Sequence, residues 1–347
     1  MKKLNKKFWK NKKILVTGHT GFKGKWLCAL LSELSSNVYG ISNKNKLNLK
    51  RVKNFKSNLN DNKKLKKIIK NIKPEIIFHL AAQPIVSISY EKPAQTYNDN
   101  VFGLINLLEA LKTQKYLKAI VIVTSDKCYK IKKFSNILTE NSPLGGNDPY
   151  SASKACAEII SNSYYKSYFS FNKIGVATAR AGNVIGGNDF SKDRIIPDLY
   201  FSKKRDKDVF IRNPKSTRPW QNVIDVVYGY CLLAENLYKK PEIFSGAWNF
   251  AKQIKKEINV LQLAKIFLQE LGFDKKIKFY KGKFHEEKKY ILSSKKSQKH
   301  LGWKPIFDKK KMIIETANWY YNYLFEEKDA LRLLSKYVKK YLKVIYS

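Results

Sequence analysis

A run of aliphatics, Ala119-Ile120-Val121-Ile122-Val123, is closed by Thr124-Ser125-Asp126-Lys127-Cys128-Tyr129. The run predicts a buried parallel strand. A strand that deep would ordinarily end in neutral turn residues, but this one ends in a hydroxyl, a carboxylate and an amine. Farther on stands Tyr150-Ser151-Ala152-Ser153-Lys154. The Tyr-x-x-x-Lys spacing sets a phenol and an ammonium on one helix face, a turn apart. The Thr124 hydroxyl, the Tyr150 phenol and the Lys154 ammonium can together take a proton from an alcohol as hydride leaves its carbon. In that set Tyr150 is the expected general base, and Lys154 is expected to lower the phenol's pKa and to hold a nicotinamide ribose. Asp126 and Lys127 add an acid and a base for a second reaction in the same place. A surface ion pair is the plainer alternative for these two, and their position beside the hydroxyl argues against it.

The elements that must carry these residues alternate. Ile14-Leu15-Val16 predicts a short strand, and Trp26 to Leu34 a helix. Val38 to Ser42 is a second strand, followed by a polar stretch over 43–58 expected to loop. Leu65, Ile68, Ile69 and Ile72 lie at helical spacing within 62–71, and Pro74 stops that helix. Glu75 to Leu80 is a third strand, 98–112 a long helix, 151–167 another, and Ile174 to Thr178 a further strand. Such alternation argues a doubly wound parallel sheet. Beyond 180 the pattern loosens, with Gly182 to Asn188 as a loop and helices expected over 197–203, 223–238 and 260–271.

Between the first strand and first helix lie Gly18, Gly21 and Gly24. Glycines there let the backbone approach a pyrophosphate, and the helix start points N–H groups at it. An acidic residue that would grip the ribose hydroxyls of NAD is missing after the second strand, where Ile41, Ser42, Asn43 and Lys44 follow Gly40. With Lys44 and Lys46 nearby, NADP stays open as well as NAD.

The formal charge of +40 suggests nucleic acid at first sight. However, 61 of the 68 basic residues are lysines scattered over every segment, with no basic block. We read them as surface filling, and expect no specific nucleic-acid partner. Of the seven arginines, Arg180, Arg194, Arg205, Arg212 and Arg218 crowd into 39 residues. Arginine's planar fork grips phosphate at two points, so a phosphorylated ligand is expected near that segment. Cys28, Cys128, Cys156 and Cys231 show no metal or redox spacing, which fits a reducing cytoplasm. The basic start, Met1 to Lys13, has no apolar stretch behind it and is not expected to be a signal peptide. No apolar run approaches the length of a membrane span.

These stretches together resemble the extended short-chain dehydrogenases/reductases that act on nucleotide sugars. The likeness rests on Phe8-Trp9, Val16 to Gly24, Phe78 to Pro84, Thr124 to Tyr129, Asp148-Pro149-Tyr150, Arg180 to Gly187, Asp193-Arg194 and Ile211 to Gln221. Ser125-Asp126-Lys127 points within that family to 4,6-dehydratases, and to CDP-glucose as the substrate. The resemblance implies a Rossmann-type doubly wound sheet with a smaller C-terminal substrate-binding lobe. Residues 1–180, with a returning segment near 220–250, would be the NAD-binding domain, and 181–347 mainly the substrate lobe. It implies NAD as cofactor, held by Gly18, Thr20, Gly21, Phe22, Gly24, Leu80, Ala81, Ala82, Asn100, Tyr150 and Lys154. Gln83, Asn183, Arg194, Arg212, Arg218 and His285 would bind the substrate, with His285 and Glu286 closing the far end of the pocket. The implied reaction moves hydride from C4 to C6 of the glucose and expels water between, with Asp126 as acid. Lys127 stands where relatives use a glutamate base, and a lysine can take that role only when neutral. Pairing of the 98–112 and 151–167 helices between subunits would give a homodimer or homotetramer. Asn58, where relatives carry an aspartate near the adenine, is a departure. A nucleotide-sugar epimerase, a dehydratase of another nucleotide sugar and a non-catalytic binding protein are the alternatives.

Overall fold

The computed structural model describes residues 1–44, 46–131, 137–252, 258–280, 290–326 and 329–347. Seven short strands form the sheet, the central ones apolar enough to be covered on both faces: β1 (Lys13–Thr17), β2 (Asn37–Ser42), β3 (Val52–Lys56), β4 (Ile76–His79), β5 (Ala119–Val123), β6 (Gly175–Ala181) and β7 (Gly246–Phe250). They form one sheet in the spatial order β7-β6-β5-β4-β1-β2-β3, parallel throughout. The long helices are α1 (Phe22–Glu33), α2 (Asn62–Ile72), α3 (Gly103–Leu111), α4 (Pro149–Tyr164), α5 (Ile195–Arg205), α6 (Val223–Lys239), α7 (Val260–Glu270), α8 (Lys309–Phe325) and α9 (Ala330–Tyr346).

Alternation along each strand builds two cores. Ile14 and Val16 of β1, Phe78 of β4 and Val121 of β5 pack with Trp26 and Leu27 of α1 and Leu233 of α6. Leu15, Ile77 and Ile120 point the other way, onto Leu65 of α2, Leu107 of α3 and Ala157 of α4. Strand order reverses between β1 and β4, which opens a crevice at their carboxyl ends. In open α/β sheets that is where ligands bind.

The polar stretch expected to loop over 43–58 contains β3. It pairs with β2 from Val38↔Val52 to Ser42↔Lys56. β3 is an edge strand, and none of its residues is fully buried, so it carries almost none of the apolar signature of its neighbours. The helix expected over 98–112 begins as a wide turn, Asn98–Phe102, before α3. The expected 182–188 loop contains Val184–Ile185, paired with Gln221–Asn222. After β6 the chain leaves the sheet, returns as α6 and β7, and otherwise builds the far wall of the crevice. That wall includes the parallel pair Val209–Arg212 and Ile277–Tyr280. Among the described residues no helix is long and apolar enough to cross a membrane.

Candidate active site

The glycine turn is shaped for close approach. Gly18 has φ +70°, and a Cβ there would lie 2.6 Å from the Ala81 amide nitrogen. A Cβ on Gly24 would lie 2.3 Å from the Gly18 carbonyl oxygen, so α1 can start this near β1 only with glycine. Gly21 caps α1 without a side-chain hydrogen bond. The first amides of α1 therefore have no partner within the helix and are available to a pyrophosphate. The loop after β4 is laced to this turn: Leu80 N–H donates to the Thr17 carbonyl at 3.1 Å and Ala81 N–H to Thr17 Oγ1 at 3.3 Å. The residues present thus fit a dinucleotide. At the end of β2, Ser42 Oγ shares a 2.8 Å hydrogen bond with Thr20 Oγ1, and His19 Nε2 meets Asn54 Oδ1 at 2.8 Å. Serine stands where an acid was looked for. Phe22 packs partly buried against the main core.

Two expected contacts act at one remove. Asn100 is buried. Its amide donates to the Gln83 carbonyl at 3.1 Å and to Ser153 Oγ at 2.9 Å, and its oxygen accepts from Gln83 N–H at 2.7 Å. It clamps Gln83, directly after Leu80, Ala81 and Ala82, to α4 and spends both amide hydrogens there. Gln83 donates to Thr96 Oγ1 at 3.0 Å and accepts from Ile85 N–H at 2.5 Å. It braces the loop, and the cleft is lined instead by Pro84, Ile85 and Val86.

The chemistry-bearing groups meet at the carboxyl end of β5. Asp148 caps α4, accepting from Ser151 N–H at 2.9 Å and Ser151 Oγ at 2.6 Å, with Pro149 at the first helical position. This start fixes Tyr150 in the first turn and Lys154 one turn on. The hydroxyl at the Tyr150 phenol is that of Ser125, not Thr124: a Ser125 side chain hydrogen bond reaches the phenol. Successive residues leaving a strand point to opposite sides, and Thr124 Oγ1 turns down to donate to Glu158 Oε1. Glu158 also accepts from Thr178 Oγ1 at 2.6 Å and from Arg180 at 2.7 Å.

Ser125 Oγ donates to Asp126 Oδ1 at 3.0 Å and accepts from Lys127 N–H at 3.2 Å. The other Asp126 oxygen accepts from the Tyr290 hydroxyl, a partner that sequence reading missed because it lies 164 residues away. The Lys127 ammonium sits 5.6 Å from the Tyr290 ring centroid. Burial pushes the Tyr150 phenol up to about 12, with Ser125 pulling the other way. Burial also takes the Lys154 ammonium down to about 8, with Glu158 pulling it back up. Its Nζ lies 3.4 Å from the Val123 carbonyl.

One cleft of about 590 Å³ holds Ser125, Asp126, Lys127 and Tyr150, and runs on to Asn183, Arg194, Arg212 and Arg218. Arg194 is paired with Asp189 at 2.9 Å, and Arg212 donates to the Asp193 carbonyl at 3.3 Å. Three of the five clustered arginines thus face the cleft. Arg180 is buried below it on Glu158 and Tyr129, and Arg205 lies over the Phe201 ring at the end of α5. Burial raises Asp198, at the cleft wall, to about 6, with Asp193 adding to the effect. His285 and Glu286 lie outside the described residues. All four cysteines are free, and among the described residues no cluster could hold a metal.

The family model described as GDP-mannose 4,6 dehydratase matches residues 15–316. The CDP-glucose 4,6-dehydratase of Salmonella typhimurium is 38% identical over 337 residues, covering 91% of this chain and 92% of that protein. Among solved structures, UDP-glucose 4-epimerase of Thermotoga maritima with UDP-glucose superposes with a TM-score of 0.78 at 25% identity, covering 90% of this chain and 99% of that one. The dTDP-glucose 4,6-dehydratase of Bacillus anthracis in complex with NAD shares the fold, with a TM-score of 0.74 at 24% identity, covering 89% and 96%.

Proposed function

The chain belongs to the GDP-mannose 4,6-dehydratase family, and from that premise we propose that it converts CDP-D-glucose to CDP-4-keto-6-deoxy-D-glucose and water. It is an NAD-dependent nucleotide-sugar 4,6-dehydratase. The observation that carries this reading is the joining, in one cleft, of Ser125 and Tyr150 with Asp126 and Lys127. An epimerase needs only the first pair, whereas removing water needs a further acid and base. The 38% identity to a CDP-glucose enzyme supports the choice of nucleotide.

When bound, NAD supplies the acceptor for hydride from C4 and its donor to C6. Gly18, Gly21 and Gly24 would shape its cradle, the first amides of α1 would hold its diphosphate, and Lys154 would hold its ribose. Tyr150 takes the proton of the C4 hydroxyl, with the Ser125 hydroxyl turning from Asp126 to donate to the phenol oxygen as charge forms there. We assign the hydroxyl role to Ser125 in place of Thr124. The C4 ketone acidifies H5. Lys127 takes that proton and returns it to C5 as C6 is reduced, and Asp126, oriented by Tyr290, protonates the departing C6 hydroxyl. Arg194, Arg212, Arg218 and Asn183 hold the diphosphate of the sugar nucleotide. The division into a cofactor lobe over 1–180 with the 220–250 return, and a substrate lobe over 181–347, belongs to the same proposal. So do a homodimer or homotetramer and a cytoplasmic setting, the latter supported by four free cysteines.

The test is mass spectrometry of CDP-, dTDP-, UDP- and GDP-glucose incubated with the protein and NAD. Loss of one water from CDP-glucose alone is the expected result. Loss from another nucleotide keeps the chemistry and overturns the base preference, and no loss from any overturns the dehydratase. Lys127→Ala should stop water loss while bound NAD is still partly reduced, seen as absorbance of the reduced nicotinamide. Normal turnover by that variant removes Lys127 as base.

A further inference from the structure

Lys23 has no part in the chemistry above, yet its side chain enters the same cleft as Asp126, Tyr150 and Arg194. It is the second residue of α1, directly after the glycine turn. Its ammonium is crowded by charge from three other elements. Arg194 faces it from the start of α5, Lys154 from α4, and Asp126, the one opposing charge, from the turn after β5. None of the described residues hydrogen-bonds or ion-pairs with it. The start of α1 adds the positive end of the helix dipole. A lysine so placed lacks the anion that would justify its charge, and it lies between the cradle for the dinucleotide and the arginines for the sugar nucleotide.

We propose that Lys23 grips the diphosphate of a bound nucleotide and takes up a proton as that anion arrives. The proposal rests on the reading of this cleft as a nucleotide-sugar and dinucleotide site. Both ligands carry the required diphosphate. In the ligand-free protein, burial first, then Arg194 and Lys154, hold the amine down to about 7 against the pull of Asp126. Near neutrality a large share of it is therefore uncharged. A diphosphate beside it reverses the balance of charge, so the amine binds a proton from solvent and becomes an ammonium. Binding is thereby coupled to pH through a residue of the glycine turn itself.

Calorimetric titration of the full chain with NAD, and separately with CDP, tests this in buffers of different ionisation enthalpy. At pH 7.5 binding of the ligand that Lys23 meets should take up roughly half a proton or more, falling towards zero at pH 6, where the amine is already charged. Uptake with NAD alone identifies the cofactor's diphosphate, and uptake with CDP alone identifies the substrate's. Lys23→Met should abolish the uptake and weaken that ligand about tenfold. Lys23→Arg, always charged, should abolish the uptake and keep the affinity. Unchanged uptake in Lys23→Met, or none with either ligand in the unaltered protein, overturns the proposal. If Lys23→Met binds neither ligand, Lys23→Arg decides: retained affinity without uptake supports it, and undiminished uptake overturns it. Failure of CDP to bind, with uptake persisting on NAD, counts against the CDP-glucose reading and leaves this inference standing.

Discussion

Two neighbouring hydroxyls, Thr124 and Ser125, have been parted by the geometry of one strand end. Thr124 is aimed into the protein at Glu158, and Ser125 is aimed at Tyr150 and Asp126. The sequence reading chose Thr124, because a hydroxyl after a buried strand has no visible direction in the sequence. Direction follows from which face the preceding residues occupy, and β5 is apolar on both faces, so its pattern carries no parity. Substitution separates the two roles. Ser125→Ala removes the donor at the phenol and should lower kcat by about 10–100-fold with little loss of stability. Thr124→Val leaves Glu158 one donor short and should cost about 1–2 kcal/mol of stability, with a smaller effect on kcat. Paired kinetics and thermal melts decide, and a larger kcat loss in Thr124→Val would return the hydroxyl role to that residue.

Helix α4 joins three tasks through one face. Its capped start presents Tyr150, the next turn presents Lys154, and the turn after that presents Glu158 to Thr124, Thr178 and Arg180. The first two were legible because a Tyr-x-x-x-Lys spacing on a helix has few other readings in this context. Glu158 was not, since its partners come from β6 and the end of β5, and a glutamate at helical spacing is ordinarily a solvated residue. The network also explains why arginine clustering overstated the ligand site. Arg180 continues from Glu158 to Tyr129 at 2.7 Å, and Tyr129 to Asn249 at 2.7 Å, tying β6, the turn after β5 and β7 beneath the cleft. Edge strand β3 escaped notice for the opposite reason, having too little burial to leave a pattern. Glu158 also sets the working range of Lys154, whose ammonium is held down to about 8 by burial and supported by the Glu158 carboxylate. Loss of the Lys154 charge should therefore give kcat/KM an alkaline limb. Glu158→Gln withdraws the support, lowers the Lys154 pKa further and should move that limb about one unit towards neutral. The same change takes the opposing charge from buried Arg180, so melting temperature is read alongside. A folded variant whose alkaline limb stays in place would separate Glu158 from the electrostatics of the site.

At the scale of the whole molecule, the 303–307 loop and the last helix are held to α6 by a buried carboxylate remote from the chemistry. Asp225, in the first turn of α6, accepts from the Tyr341 hydroxyl of α9 at 2.8 Å and from the Ile306 amide at 3.1 Å. Its own carbonyl accepts from Trp303 Nε1 at 2.8 Å. One residue thereby ties α6, the 303–307 loop and the last helix together. Nothing in the sequence marks it, because its partners lie 78 or more residues downstream. Burial pushes its carboxyl up to about 6, although Tyr341 and the two loop amides pull the other way. The folded value thus lies above the ordinary aspartate value. The fold favours the protonated form, so the contribution of Asp225 is fully present below about pH 4 and is lost as pH rises through about 6. The loss is on the order of 3 kcal/mol. Asp225→Asn keeps an oxygen for Tyr341 and Ile306 and cannot ionise. The stability of the unaltered protein minus that of Asp225→Asn, from denaturant unfolding at several pH values, should therefore fall between pH 4 and 6 and then level off. A difference that stays flat across this range would mean that the latch is held by its hydrogen bonds alone and that its charge state does not matter to the fold.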